Sequence, residues 1–231
     1  MAQSQEEIVA FFNLTENDSN PTLPLNWNIA PTNEIYIVKS KKHLETASWG
    51  LIAPWQKNSA EARAGQSHAI NARSESIHEK PTFRDAFRTS RCLIPATGYY
   101  EWATSLGKYP PKQPFYITSK SGEPLSIAGI CSTWTNEKGQ VIQSASIITR
   151  EAVDGLAEIH SRMPVFMPRD RWDEWLDPRN REIHQLQALM QSENPTAGLI
   201  TRPVSPRVNV VANNGPEIIA EYPLGEPETL F

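Results

Sequence analysis

The chain lacks almost everything that would mark a secreted, membrane-spanning or charge-driven protein. It carries two cysteines, Cys92 and Cys131, and no C-x-x-C spacing. Both sit in apolar runs, which excludes a disulfide framework and reads as reduced core thiols of a cytoplasmic protein. No apolar run approaches the roughly 20 residues that cross a bilayer, so no membrane partner is expected. The opening Met1-Ala2-Gln3-Ser4-Gln5-Glu6-Glu7 is polar and acidic and is no signal peptide. The net charge is only −4, so bulk charge offers nucleic acid no attraction and any such binding needs a local basic patch. His43, His68, His78 and His184 have polar neighbours and no ligand spacing, so neither a metal nor a cofactor is expected. Internal repeats and low-complexity linkers are missing too.

What is present fits one α+β domain over residues 1–231, with a tail at 223–231 that reads as frayed. The 19 prolines imply many strand–loop junctions and few long helices. Ser4-Gln5-Glu6-Glu7 is a capping box ahead of Ile8, Val9, Phe11 and Phe12, so a short helix opens the chain. Strands are expected at 34–38 and 48–52, a mobile loop at 60–67, and a short helix at 82–88 with Phe83 and Phe87 on one face. The middle is strand-rich, at 91–96, 99–103, 114–118, 125–134 and 141–149, with turns at Gly107, Ser121-Gly122 and Asn136-Glu137-Lys138-Gly139. Short helices at 151–159, 169–176 and 181–191 follow, and a strand-like run at 199–211 closes the core. The expected architecture is a curled, mostly antiparallel, barrel-like sheet flanked by short helices.

Three segments carry the chemistry. Glu101 lies in Gly98-Tyr99-Tyr100-Glu101-Trp102. Strand alternation puts Tyr100 and Trp102 on one face and Tyr99 and Glu101 on the other. Glu101 is then either a surface glutamate or a carboxyl desolvated into a proton donor near neutral pH. His160, in His160-Ser161-Arg162-Met163-Pro164, is either a helix C-cap or an acid–base group beside Arg162. Asn71-Ala72-Arg73-Ser74-Glu75 precedes a helical pattern, so Asn71 reads first as an N-cap and Arg73 as a surface charge. Arg84, Arg88 and Arg91 add basic charge downstream, either a phosphate-tracking groove or a solvated helix face. Trp49, Trp55 and Trp102 either stack on bases or belong to the core.

Taken together, these segments resemble the SRAP family (SOS response-associated peptidase). So do Ala2-Gln3-Ser4, Asn28-Ile29-Ala30-Pro31, Trp49-Gly50-Leu51-Ile52-Ala53-Pro54-Trp55, Arg91-Cys92-Leu93-Ile94-Pro95-Ala96, Gln113-Pro114-Phe115, Ala128-Gly129-Ile130 and Pro203-Val204-Ser205. The resemblance spans nearly the whole chain. It implies a monomeric bacterial protein, nucleoid-associated on DNA damage, that shields abasic sites in single-stranded DNA. An N-terminal cysteine, freed by self-processing that removes the initiator Met, would join the ring-opened aldehyde through thiol and α-amine in a thiazolidine cross-link. By the same resemblance Asn71 would hold the N-terminal residue, and Glu101 would assist sugar opening and proton transfer. His160 would be the acid–base partner. Arg73 and Arg162 would bind phosphates, Trp55 would wedge or stack near the lesion, and Pro31 and Arg84 would lie on the DNA path. The family begins Met-Cys-Gly-Arg-aromatic, whereas here Met1 stands directly before Ala2. Either the start lies upstream, the chain is trimmed, or it binds without cross-linking. A non-covalent single-stranded-DNA binder and a Glu/His hydrolase are the competing readings.

Overall fold

The computed structural model describes residues 2–14, 22–40, 43–104 and 109–224. At its centre, five strands close into a barrel: β1 (Glu34–Lys39), β2 (His43–Trp49), β4 (Arg91–Ala96), β7 (Leu125–Thr135) and β8 (Val141–Glu151). β2, β1, β4, β7 and β8 pair antiparallel in that order. A parallel pairing of β2 with β8, Ser48 opposite Ser144 and Trp49 opposite Ala145, closes the ring. At the closure Gly50 has φ 116° and donates its N–H to the Ala145 carbonyl at 2.7 Å. A Cβ there would stand 2.6 Å from the Gln66 carbonyl oxygen, so the close approach requires glycine.

Two short strands extend the sheet from β8. β3 (Asn71–Arg73) runs parallel to it, and β9 (Arg162–Pro164) antiparallel to its end. A second, antiparallel sheet has the order β10 (Leu199–Pro203), β6 (Pro114–Ser119), β5 (Gly98–Trp102), which makes β5 an edge strand. The period-2 pattern of the barrel strands explains both layers of core. Ile35, Ile37, Cys92, Ile94, Ile127 and Cys131 form one cluster that fills the barrel. Their alternates Tyr36, Val38, Leu93, Ala128 and Ile130 point outward to the residues buried by the helices. Those helices are α1 (Gln5–Phe12), α3 (Pro81–Thr89), α5 (Trp172–Leu176) and α6 (Ile183–Leu189). The Ser4–Glu7 capping box is present on α1, and its Phe12 ring stacks on Trp172 at 4.5 Å. Among the described residues, no helix is long and apolar enough to cross a membrane.

Several expected elements are redrawn. Residues 60–67 form a helix, α2 (Ser59–Ser67), rather than a mobile loop. The Asn58 side chain caps it by accepting the Glu61 N–H at 2.9 Å, and Ala62 and Gln66 are buried. β2 lies at 43–49, earlier than the expected 48–52. The helix expected at 151–159 shrinks to α4 (Asp154–Ala157), because β8 continues through Glu151 to pair with β9. The 169–176 segment divides into a 3-10 turn, Arg169–Arg171, and α5. The run at 199–211 ends as a strand at Pro203, and a 3-10 turn, Pro206–Asn209, follows where Pro206 has no N–H to give a ladder. The turn expected at Gly107 lies outside the described residues, as does 225–231 of the tail.

Candidate functional site

Glu101 and His160 meet at one end of the small sheet. As alternation requires, Tyr100 and Trp102 face away from them. The Tyr100 hydroxyl donates to the Trp27 carbonyl at 2.7 Å, and Trp102 Nε1 donates to Asn209 Oδ1 at 2.7 Å. Glu101 faces the other way, with its side chain 25% exposed. The Thr104 N–H donates to the Ile159 carbonyl at 2.9 Å, tying the end of β5 to the residue before His160. His160 lies beyond the α4 cap residue Glu158, so it is not that helix's C-cap. Its ring nitrogen Nδ1 accepts the Arg162 N–H at 3.1 Å and stands 3.6 Å from Glu101 Oε1. In the neutral ring that acceptance engages the Nδ1 lone pair and puts the proton on Nε2; in the protonated ring Nδ1–H faces the Arg162 carbonyl at 3.3 Å and the Glu101 carboxyl. Burial raises the Glu101 pKa above the ordinary carboxylate value, and the His160 charge opposes part of the rise. A carboxyl with a raised pKa 3.6 Å from an imidazole nitrogen can serve as a proton-sharing pair.

A second group sits across β8. Arg73 is in register with Thr149, which is in turn in register with Pro164 of β9. Arg162 reaches back over this ladder and donates to the Thr149 carbonyl at 2.8 Å. Its guanidinium also grips the Glu75 carboxylate, at 2.8 and 2.9 Å. Asn71 and Arg73, two apart and both exposed, line a cavity of about 410 Å³ together with Gln56, His68 and Lys80. Asn71 opens a strand instead of capping a helix, since α3 does not begin until Pro81. The fold therefore brings Glu101, His160 and Arg162 together, pairs Asn71 with Arg73, and joins the two groups through Thr149.

The remaining sequence candidates lie further out. Trp55 is 51% exposed on a turn closed by the Gln56 N–H on the Ala53 carbonyl, next to the cavity-lining Gln56. Pro31 is exposed on a turn that the Thr32 N–H ties to the Trp49 carbonyl. Arg84 is exposed on α3, 3.7 Å from Asp85, and the first turn of the same helix lines the cavity. Arg91 leaves the basic stretch altogether. It is buried, with all five guanidinium hydrogens spent on the carbonyls of Trp175, Phe87, Arg88, Asp177 and Asn180. Cys92 and Cys131 are buried free thiols, and burial pushes the Cys92 pKa well up, so it is no ready nucleophile. Among the described residues no group of three or more His, Cys, Asp or Glu is placed to hold a metal ion. Sequence reasoning gave no role to Glu75, Thr149, Lys80 or His68. Only Glu75 had a local signal, its place two residues after Arg73.

Comparison with known proteins converges on one group. The family model described as SOS response associated peptidase (SRAP) matches residues 1–211. The abasic site processing protein YoqW of Bacillus subtilis (strain 168) is 34% identical over 224 residues, covering 94% of this chain and 95% of that protein. The abasic site processing protein HMCES of Rattus norvegicus is 32% identical over 232 residues, covering 84% of this chain and 64% of its own length. A crystal structure of a Bacteroides thetaiotaomicron protein superposes with a TM-score of 0.81 at 22% identity, covering 96% of this chain and 97% of that one, which speaks to the fold alone. A Bordetella bronchiseptica structure gives 0.71 at 25% identity over 89% and 97%.

Proposed function

The chain belongs to the SOS response associated peptidase (SRAP) family, and from that premise we propose that it senses and shields abasic sites in single-stranded DNA, with Glu101 and His160 as its proton-handling pair. The observation that carries the reading is the 3.6 Å approach of His160 Nδ1 to the half-buried Glu101 carboxyl, beside Arg162 and across β8 from Arg73. An abasic sugar is mostly a closed hemiacetal. Opening it moves a proton from the anomeric hydroxyl to the ring oxygen and leaves an aldehyde. A protonated Glu101 can donate to that ring oxygen while a base removes the hydroxyl proton.

A cysteine at the start of a Cys-Gly-Arg-aromatic segment ahead of Ala2 would supply the nucleophile, once the initiator Met is removed by self-processing. Its α-amine adds to the aldehyde carbon, and the carbinolamine loses water with acid assistance. The thiol sulfur then adds to the resulting iminium carbon, and its proton leaves to a base. The net change is one C–N bond and one C–S bond formed and one water released. Reach supports this arrangement. The Ala2 N–H donates to Thr97 Oγ1 at 2.8 Å, at the start of the edge strand that carries Glu101. Four residues along a strand rise roughly 13 Å, which a four-residue extended segment also spans. Asn71 would fix the terminal residue by its amide, Arg73 and Arg162 would hold flanking phosphates, and Trp55, Pro31 and Arg84 would border the strand's path. Monomeric action on the lesion and a cytoplasmic, nucleoid-associated setting complete the proposal.

Binding to intact and abasic single strands, titrated against salt, tests the groove. Arg73→Ala should weaken both and flatten the salt dependence by roughly 0.7, the share of one phosphate contact on a single strand. An unchanged slope would take Arg73 off the DNA path.

A further inference from the structure

Arg162 does not meet solvent as a free cation. Its two terminal nitrogens donate side by side to Glu75 Oε1 at 2.8 Å and Oε2 at 2.9 Å, the forked geometry a guanidinium also uses for phosphate. The same nitrogen that meets Oε2 donates to the Thr149 carbonyl at 2.8 Å. The Glu75 carboxyl is pulled down to about 2, chiefly by the Arg162 hydrogen bonds, with smaller help from the backbone amides of Glu75 and Glu151. The paired guanidinium donors that hold this carboxylate suit any oxyanion of similar shape.

The two partners differ in how they are held. Arg162 sits in β9, its side chain is 22% exposed, and it is tied to the backbone of β8. Glu75 comes from the turn after β3, its side chain is 53% exposed, and it can swing into water without opening the core. Only one of the two is free to leave. We propose that Glu75 is a resident phosphate surrogate: in the DNA-free protein its carboxylate occupies the place on Arg162 that a strand's phosphodiester takes, and it must depart for the strand to bind. The inference rests on the reading of Arg162 as a phosphate contact and assigns Glu75 as the residue that sets the threshold for filling that contact. A displaced Glu75 takes up a counterion as the phosphate gives one up, so this contact adds little to the salt dependence of the wild-type protein.

The test uses the full chain and a labelled oligothymidylate strand, with affinity measured across a salt series. Glu75→Gln and Glu75→Ala should bind about two- to fivefold tighter at low salt, the range of a partly exposed ion pair that no longer has to be broken. Their salt dependence should steepen by roughly 0.7. Arg162→Ala should bind more weakly, and adding Glu75→Gln to it should change nothing, because the two residues act through one site. If both Glu75 variants bind more weakly while Arg162→Ala does too, Glu75 positions Arg162 and the surrogate idea is wrong, although the phosphate contact stands. If Glu75→Gln tightens binding equally in the Arg162→Ala background, the effect is general charge and the idea again fails. If Arg162→Ala changes neither affinity nor slope, the phosphate reading falls and the inference falls with it.

Discussion

At Glu101 the chain places a carboxyl where burial lifts its pKa above the ordinary value and the His160 ring opposes part of the lift. The consequence for stability has a definite sign. A carboxyl whose folded pKa is raised stabilises the fold below its unfolded pKa, and that contribution is lost as pH rises through the folded value. Glu101→Gln should therefore melt at or above the wild-type temperature at pH 7, with the difference shrinking toward zero below about pH 4.5, near the unfolded value. Thermal denaturation at the two pH values checks this. A variant several degrees less stable at pH 7 would make Glu101 a structural residue. Asn71, Glu101 and His160 were legible as candidates because each sits in a short distinctive motif. The grip of Glu75 on Arg162 was not legible, because the partners lie 87 residues apart in the chain and meet only through the β3–β8–β9 ladder.

Among the elements, β4 to β8 were readable from period-2 alternation and turn residues, and β4 falls where expected, at Arg91–Ala96. α2 was not, since its polar, glycine-containing sequence hides a cap and two buried positions. Nor was the task of Arg91, whose charge suggested DNA but whose five hydrogen bonds bind the end of α3, the end of α5 and the 177–180 turn into one corner. Burial lowers its pKa to about 10, still far above neutrality, so the cation persists at pH 7. Arg91→Met should leave several buried carbonyls unpaired and cost at least about 3 kcal/mol. For a domain of this size that corresponds to roughly 6–12 °C in melting temperature. A shift of only a degree or two would mean that water or neighbouring groups replace the guanidinium without loss.

For the molecule as a whole, the curled, barrel-like sheet was foreseeable but the pairing that closes it was not. The ring shuts through a parallel pairing of Ser48 with Ser144 and Trp49 with Ala145, and no local pattern announces a contact between strands so distant in sequence. β3 and β9 lie on the two flanks of β8, which sets Arg73 and Arg162 on either side of that strand. The proposed function needs only local cations, so a net charge of −4 does not oppose it. The central claim is that Glu101 and His160 together drive chemistry at an abasic aldehyde. It is tested most directly with the chain extended by Cys-Gly-Arg-Phe directly ahead of Ala2, the new Cys as first residue, incubated with abasic single-stranded DNA and resolved on a denaturing gel. The account predicts a hydrolysis-resistant adduct, slowed about 10²–10⁴-fold by Glu101→Gln with DNA affinity nearly intact, slowed likewise by His160→Ala in its formation or reversal, and absent from the chain that begins Met1-Ala2. No adduct from the extended chain, or an equal adduct from the unextended one, would contradict it.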